Sequence, residues 1–292
     1  VTTNFRRWIS LDVGASPGGF SLASTESLRV VFSIERDEKP WPNTAEIAVY
    51  NLNPDHRQYL STLQGVPCKL HAGYEDGTGL LFDGMLREAK SVHSGTEWIT
   101  SISAGDGELD KKGEPIAGKQ IKACWSRGTP LITILQAFAT QLNVDLGNAV
   151  TMGAAAKLST GVALSNAFAV DGPALDEFIY FMRSVGLPWS VQNGALQVRP
   201  APAVPASTGP LIAAQTGLIG NVETSTQKVK RFDVTKELKV AAGKVLLLPA
   251  LLPGHMFALK SNAVNGPVLC TKVHHVGDTH GNDWYTQWEG NY

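Results

Sequence analysis

The chain has 292 residues, 43% of them hydrophobic and 17% charged, with 25 Lys and Arg against 26 Asp and Glu for a formal net charge of −1. At about twice the ~150 residues typical of one domain, it is expected to hold two or three domains with real cores, and its composition excludes a disordered chain. The near balance of charge excludes a wholesale binder of polyanions. Three cysteines, Cys68, Cys124 and Cys270, are odd in number and lack CxxC spacing, so neither a disulfide framework nor a zinc cluster is expected, and synthesis in a reducing compartment fits. The stretch 1–14 lacks the apolar core of a signal peptide, and no run approaches the ~18 apolar residues of a membrane span, so a soluble protein is expected.

The first third reads as β-structure. Leu28, Val30, Phe32 and Ile34 alternate with Arg29, Val31, Ser33 and Glu35, the period of a half-buried strand, and 44–50 repeats the pattern. Asn53-Pro54 then predicts a short helix over 54–64, with Asn53 as its cap and Pro54 in the first turn. Strands are predicted over 69–74, 79–90 and 97–104, joined by the turns 75–79 and 93–95. Beyond Pro115 the texture changes. After Thr129-Pro130, the residues Leu131, Ile134, Leu135, Phe138, Ala139 and Leu142 share one helical face. A second helix starts at Asp171-Gly-Pro173 with the stripe Leu175, Phe178, Ile179 and Met182. Asn193-Gly194 then predicts a type I′ hairpin between 188–191 and 195–198. A proline-rich linker, 200–210, precedes a return to strands at 218–224, 228–238, 255–261, 267–276 and 283–289. The predicted class is α+β and β-dominated: a β domain (1–112), a small α/β domain of two helices and a hairpin (113–205), and a second β domain (206–292). The two outer pieces are either copies of one fold or partners in pairing, although no clean sequence repeat relates them.

Four constellations carry possible chemistry. His274, His275, Asp278 and His280 supply donors suited to zinc or iron, but on a strand His274 and His275 point to opposite faces, so a strand end and turn with satisfied polar groups is the plainer account. Asp106, Glu108 and Asp110 offer carboxylates of the kind used by glycosidases, yet the neighbouring glycines and Lys111-Lys112 mark a solvated inter-domain turn. Lys228, Lys230 and Arg231 could touch phosphate or blunt a sheet edge. Trp284 and Trp288, with Tyr285 and Tyr292 nearby, either anchor an interface or fill a core. Nucleophile elbows, phosphate loops and dinucleotide fingerprints are absent from the sequence, so no catalytic, cofactor or metal residues are assigned.

Two passages carry a resemblance. Phe32-Ser-Ile-Glu-Arg36 with Pro42-Asn-Thr-Ala-Glu-Ile-Ala-Val-Tyr-Asn-Leu52, and Leu251-Leu-Pro-Gly254 with Val273-His-His-Val-Gly-Asp278-Thr-His-Gly-Asn-Asp-Trp284-Tyr-Thr286, resemble the hub proteins of tailed-phage baseplates. The middle helices and hairpin resemble the small insert domain of such hubs. The resemblance implies two tail-tube-like β-barrel or sandwich domains flanking that insert. It also implies a homotrimer forming a pseudo-sixfold ring, which joins a sixfold tail tube (or tube initiator) to a threefold central spike or tail tip. Its channel would pass tape measure protein and DNA without specific nucleic-acid or membrane binding, in a virion baseplate assembled in the host cytoplasm. A cell-wall-degrading or metal-dependent hydrolase of the tail tip, or a glycan-binding tail component, is the alternative.

Overall fold

The computed structural model describes residues 6–14, 18–23, 28–38, 43–106, 116–147, 163–198, 209–231 and 234–292. In the first lobe, β1 (Arg7–Val13), β2 (Phe20–Ala23), β3 (Val30–Asp37) and β4 (Asn43–Tyr50) precede helix α1 (Pro54–Ser61), and β5 (Pro67–Tyr74), β6 (Gly77–Ser94) and β7 (Glu97–Asp106) follow it. Strand alternation sends Val30, Phe32 and Ile34, and opposite them Ala45, Ile47 and Val49, into one core. The cap of α1 forms as the sequence predicts: the Asn53 side chain accepts the His56 N–H at 2.7 Å. The strands β1 and β2 had no clear signal in the sequence.

The insert comprises β8 (Gln120–Trp125), α2 (Leu131–Leu142), β9 (Phe168–Pro173), α3 (Ala174–Ser184), β10 (Trp189–Gln192) and β11 (Ala195–Val198) around a separate core. The residues predicted for the buried face of α2 are the ones buried, and Asn143 ends the helix in the left-handed region. On α3 the buried face is Ala174, Phe178, Phe181 and Met182, so the stripe is rotated from the predicted one: Ala174 and Phe181 replace Leu175 and Ile179, and Phe138 packs against both Phe178 and Phe181. The pairing of β8 with β9 across α2 is a further correction, because such a non-local two-stranded pair carries no periodic signal of its own. Asn193 (φ 55) and Gly194 (φ 70) form the predicted turn.

The second β lobe holds β12 (Leu211–Ala213), β13 (Leu218–Arg231), β14 (Val234–Leu246), β15 (Met256–Lys260), β16 (Asn265–Asp278) and β17 (Trp284–Asn291). The single strand predicted over 228–238 is a hairpin: Lys228 belongs to β13, and Glu237, its partner in register, to β14. Most of the linker, 199–208, and Glu108 and Asp110 lie outside the described residues.

Both outer lobes follow one topology. In each, a hairpin (β3–β4, β13–β14) is followed by a connection and a three-strand meander (β5–β6–β7, β15–β16–β17), whose last strand pairs back onto the hairpin. The flanking strand differs, β1 pairing antiparallel with β5 and β12 parallel with β15. The lobes are therefore copies of one fold, and they also pair: β16 runs antiparallel to β3, merging both into one 13-stranded sheet.

Two cores lie along these shared strands. Val273 and Trp288 enter the second lobe's core, whereas Trp284 and Leu247 enter that of the first. Gly277 stands in register between Phe32 and Trp284, whose rings meet edge-on above it with centroids 5.4 Å apart. A Cβ at Gly277 would fall 2.3 Å from the Phe32 ring. Gly277→Ala is therefore expected to lower unfolding stability by about 1–3 kcal/mol in chemical denaturation, with partial recovery in combination with Phe32→Leu.

Candidate functional site

Most of the polar groups that the fold buries lie where its units meet. On β3, Arg36 continues the inward register of Phe32 and Ile34, and it is 1% exposed. Its Nε donates to Gln192 Oε1 at 3.2 Å and its Nη1 to the Leu81 carbonyl at 3.0 Å. Asn43, at the start of β4, donates to the Val191 carbonyl at 3.0 Å. Gln192 Nε2 donates to the Asp37 carbonyl at 2.7 Å. Asp106, the last residue of β7, accepts the N–H groups of Asn193 and Gly194, the latter at 2.7 Å. These contacts clasp the β10–β11 turn of the insert onto the end of the first lobe.

Asp106 corrects the expectation of a solvated turn, being only 2% exposed. Burial pushes its carboxyl above the ordinary range, opposed by the field of Arg36, by the two turn amides and by Asn43. The arrangement is a structural anion site in which the protein's own backbone N–H groups engage the carboxylate. Register parity along β3 was the signal that could have marked Arg36; the role of Gln192 had none.

The histidine-bearing hairpin is divided in the same way. His274 and His275 do point to opposite faces: His274 Nε2 lies 2.8 Å from Ser33 Oγ, while His275 is fully buried with Nδ1 2.8 Å from Thr286 Oγ1. Thr286 Oγ1 also accepts the Leu248 N–H at 3.0 Å. Burial, with Arg36 and His274 adding to it, pushes the His275 imidazole down to about 3. His280 Nδ1 rests 2.9 Å from Thr279 Oγ1. Asp278 is held by Arg29, whose Nη2 donates at 2.7 Å, and by the His280 N–H at 2.9 Å. Burial works against this carboxylate, but Arg29 and the backbone N–H groups of His280 and Gly281 keep it below the ordinary range. Arg7 of β1 donates to the carbonyls of Asp278 and Gly281, tying the far end of the first lobe's sheet to the hairpin. Among the described residues, no group of three His, Cys, Asp or Glu side chains is placed to hold a metal.

The remaining candidates resolve into packing and surface. Trp284 and Trp288 are core residues, the latter edge-on to Phe257 at 5.0 Å, and only Tyr292 of that aromatic tail is exposed. Lys228 lies 3.7 Å from Glu237 on an exposed ribbon, whereas the side chains of Lys230 and Arg231 and the residue Phe232 lie outside the described ones. Burial raises the thiols of Cys68, to about 12, and Cys270, which makes both poor nucleophiles. Among the described residues, no helix is long and apolar enough to cross a membrane.

No protein-family model and no curated protein matches the sequence. Solved structures do. A tail protein from Neisseria meningitidis MC58 superposes with a TM-score of 0.64 at 12% identity, covering 99% of this chain and 97% of that one. The 43 kDa tail protein of prophage MuSo2 from Shewanella oneidensis gives 0.61 at 9% identity, covering 97% and 98%. An Escherichia coli type VI secretion component, described as similar to the bacteriophage T4 tail proteins gp27 and gp5, gives 0.57 at 10% identity, covering 97% and 76%. The fold of this chain is the phage tail-protein fold, as the two sequence passages imply.

Two measurements check these sites. Asp106→Ala strands two backbone donors and the charge of Arg36, so it is expected to cost about 3 kcal/mol and to open the 193–194 turn to limited proteolysis. His275 is neutral when folded, while the unfolded chain takes up a proton below 6.5, so stability is expected to fall as pH drops from 6.5 towards 3. The slope from this group is about 1.4 kcal/mol per pH unit, and urea titrations of His275→Gln should lack it.

Proposed function

We propose that this chain is a structural component of a phage tail and, within the tail, a baseplate hub subunit with no catalytic role. One observation carries the reading: two lobes of the same topology are joined edge to edge in a single sheet. Three such chains arranged head to tail would offer six similar lobes around a threefold axis. That arrangement suits an adaptor between a sixfold tail tube and a threefold spike or tip. The likeness to tail proteins supports the same reading at the level of fold.

The division into 1–112, 113–205 and 206–292 is part of the proposal, supported by three separate cores and qualified by Leu247 and Trp284, which serve the first lobe from the last segment. The channel, the passage of tape measure protein and DNA, and baseplate assembly in the host cytoplasm belong to the reading as well. The hydrolase alternative drew on imidazoles that are held by Ser33, Gln287, Thr286 and Thr279, and the glycan alternative on tryptophans that fill cores.

Mass photometry and negative-stain microscopy of the purified chain test this reading. Ring-shaped trimers with six lobes are the expected result. A strictly monomeric protein at micromolar concentration, alone and with its tube and spike partners, would rule it out.

A further inference from the structure

The junction within the chain is a template for a junction between chains. Beyond Asp278's hairpin, β16 uses two partners along one edge: its first half pairs with β15 and its second half with β3. In the first lobe, β6 has the same construction. The Gly254 N–H reaches the Cys270 carbonyl at 2.8 Å, and the Cys270 N–H reaches the His255 carbonyl at 2.9 Å. Likewise the Gly65 N–H reaches the Leu86 carbonyl, and the Leu86 N–H the Val66 carbonyl, both at 2.8 Å. A bulge follows each, between Cys270 and Lys272 and between Leu86 and Glu88. The first half of β6 pairs with β5, as far as Met85. Its second half, 88–94, receives no backbone hydrogen bond on that edge among the described residues.

The counterpart of β3 is equally unpaired. β13 occupies one end of the sheet and, among the described residues, pairs only with β14. Among the described residues this 14-residue strand presents an open edge, and such an edge is a template for another strand. We propose that β13 of one copy pairs antiparallel with the second half of β6 in the next copy, repeating the β3–β16 junction; the number of copies that closes the ring rests on the hub reading.

The template fixes the register. Cys270 corresponds to Leu86 and, through the chain of partners Gly290, Ala241 and Thr224 against Ala104, Ala45 and Ile34, Thr224 corresponds to Ile34. The pairs Lys272–Asp37 and His274–Glu35 then become Glu88–Gln227 and Lys90–Ser225. Side-chain direction agrees without adjustment: Glu88, Lys90, Ser225 and Gln227 all face solvent, while Ala89 is buried between them. Lys90 falls diagonal to Glu223, an opposite-charge pair, and Val92, which is 52% exposed, lies within the paired segment.

Oxidative cross-linking tests the pairing. In a Cys124→Ser background, Lys90→Cys and Ser225→Cys place cysteines directly opposite across the junction, at a spacing a disulfide spans. Oxidation should link most chains into reducible covalent trimers, whereas Lys90→Cys with Gln227→Cys, two residues out of register, should link few. The two single variants mixed should yield only a covalent dimer, which also carries the test where the double variant folds poorly. A trimer by mass that fails to link overturns the pairing and leaves the hub reading standing. Linkage into a ladder beyond the trimer upholds the pairing and overturns the closed threefold ring. A monomer that never links, alone and with its tube and spike partners, overturns both.

Discussion

Backbone hydrogen bonding along strand edges governs this molecule. Each lobe is a coiled sheet around its own apolar core, and such a sheet leaves edges whose N–H and C=O groups need partners. One of them, the outer half of β16, is satisfied by β3. That single antiparallel pairing turns two similar lobes into one continuous sheet, brings the Phe32 and Trp284 rings together over Gly277, and places His275 at the seam between two cores. The second lobe thereby helps to complete the first, since Trp284 and Leu247 are as much part of the first core as Ile34 or Ile47.

The buried polar residues follow from the same joinery. Arg36, Asn43, Asp106 and Gln192 occupy the face where the insert's hairpin turn meets the first lobe; Arg7, Arg29 and Asp278 secure the β16–β17 turn against β1 and β3. A charged group away from water needs close partners, so each is engaged by side chains or backbone. Each of these groups makes at least one contact that ties one unit of the fold to another.

How much of this could be read in advance differs from element to element. The strands β3 to β7 of the first lobe, the Asn53 cap, the buried face of α2 and the Asn193-Gly194 turn were legible because each depends on local periodicity or on one residue's backbone preference. The pairing of β8 with β9, the division of 228–238 between β13 and β14, and the rotated face of α3 were not, since the partners each segment packs against decide them. The candidate sites divide likewise. Strand alternation alone separates His274 from His275, whereas the burial of Asp106 depends on a hairpin turn that lies 87 residues further along the chain.

The sequence by itself determined the β-dominated α+β class and carried the resemblance of two passages to tail hubs, because these rest on patterns within a few residues. Only the tertiary structure decided that the outer lobes are copies, that they merge through β16 and β3, and that among the described residues β13 and the far half of β6 lack a partner on one edge. Two segments with a common topology need share no recognisable residues, since topology is set by which strand edges meet, and edge pairing uses backbone atoms that every residue carries alike.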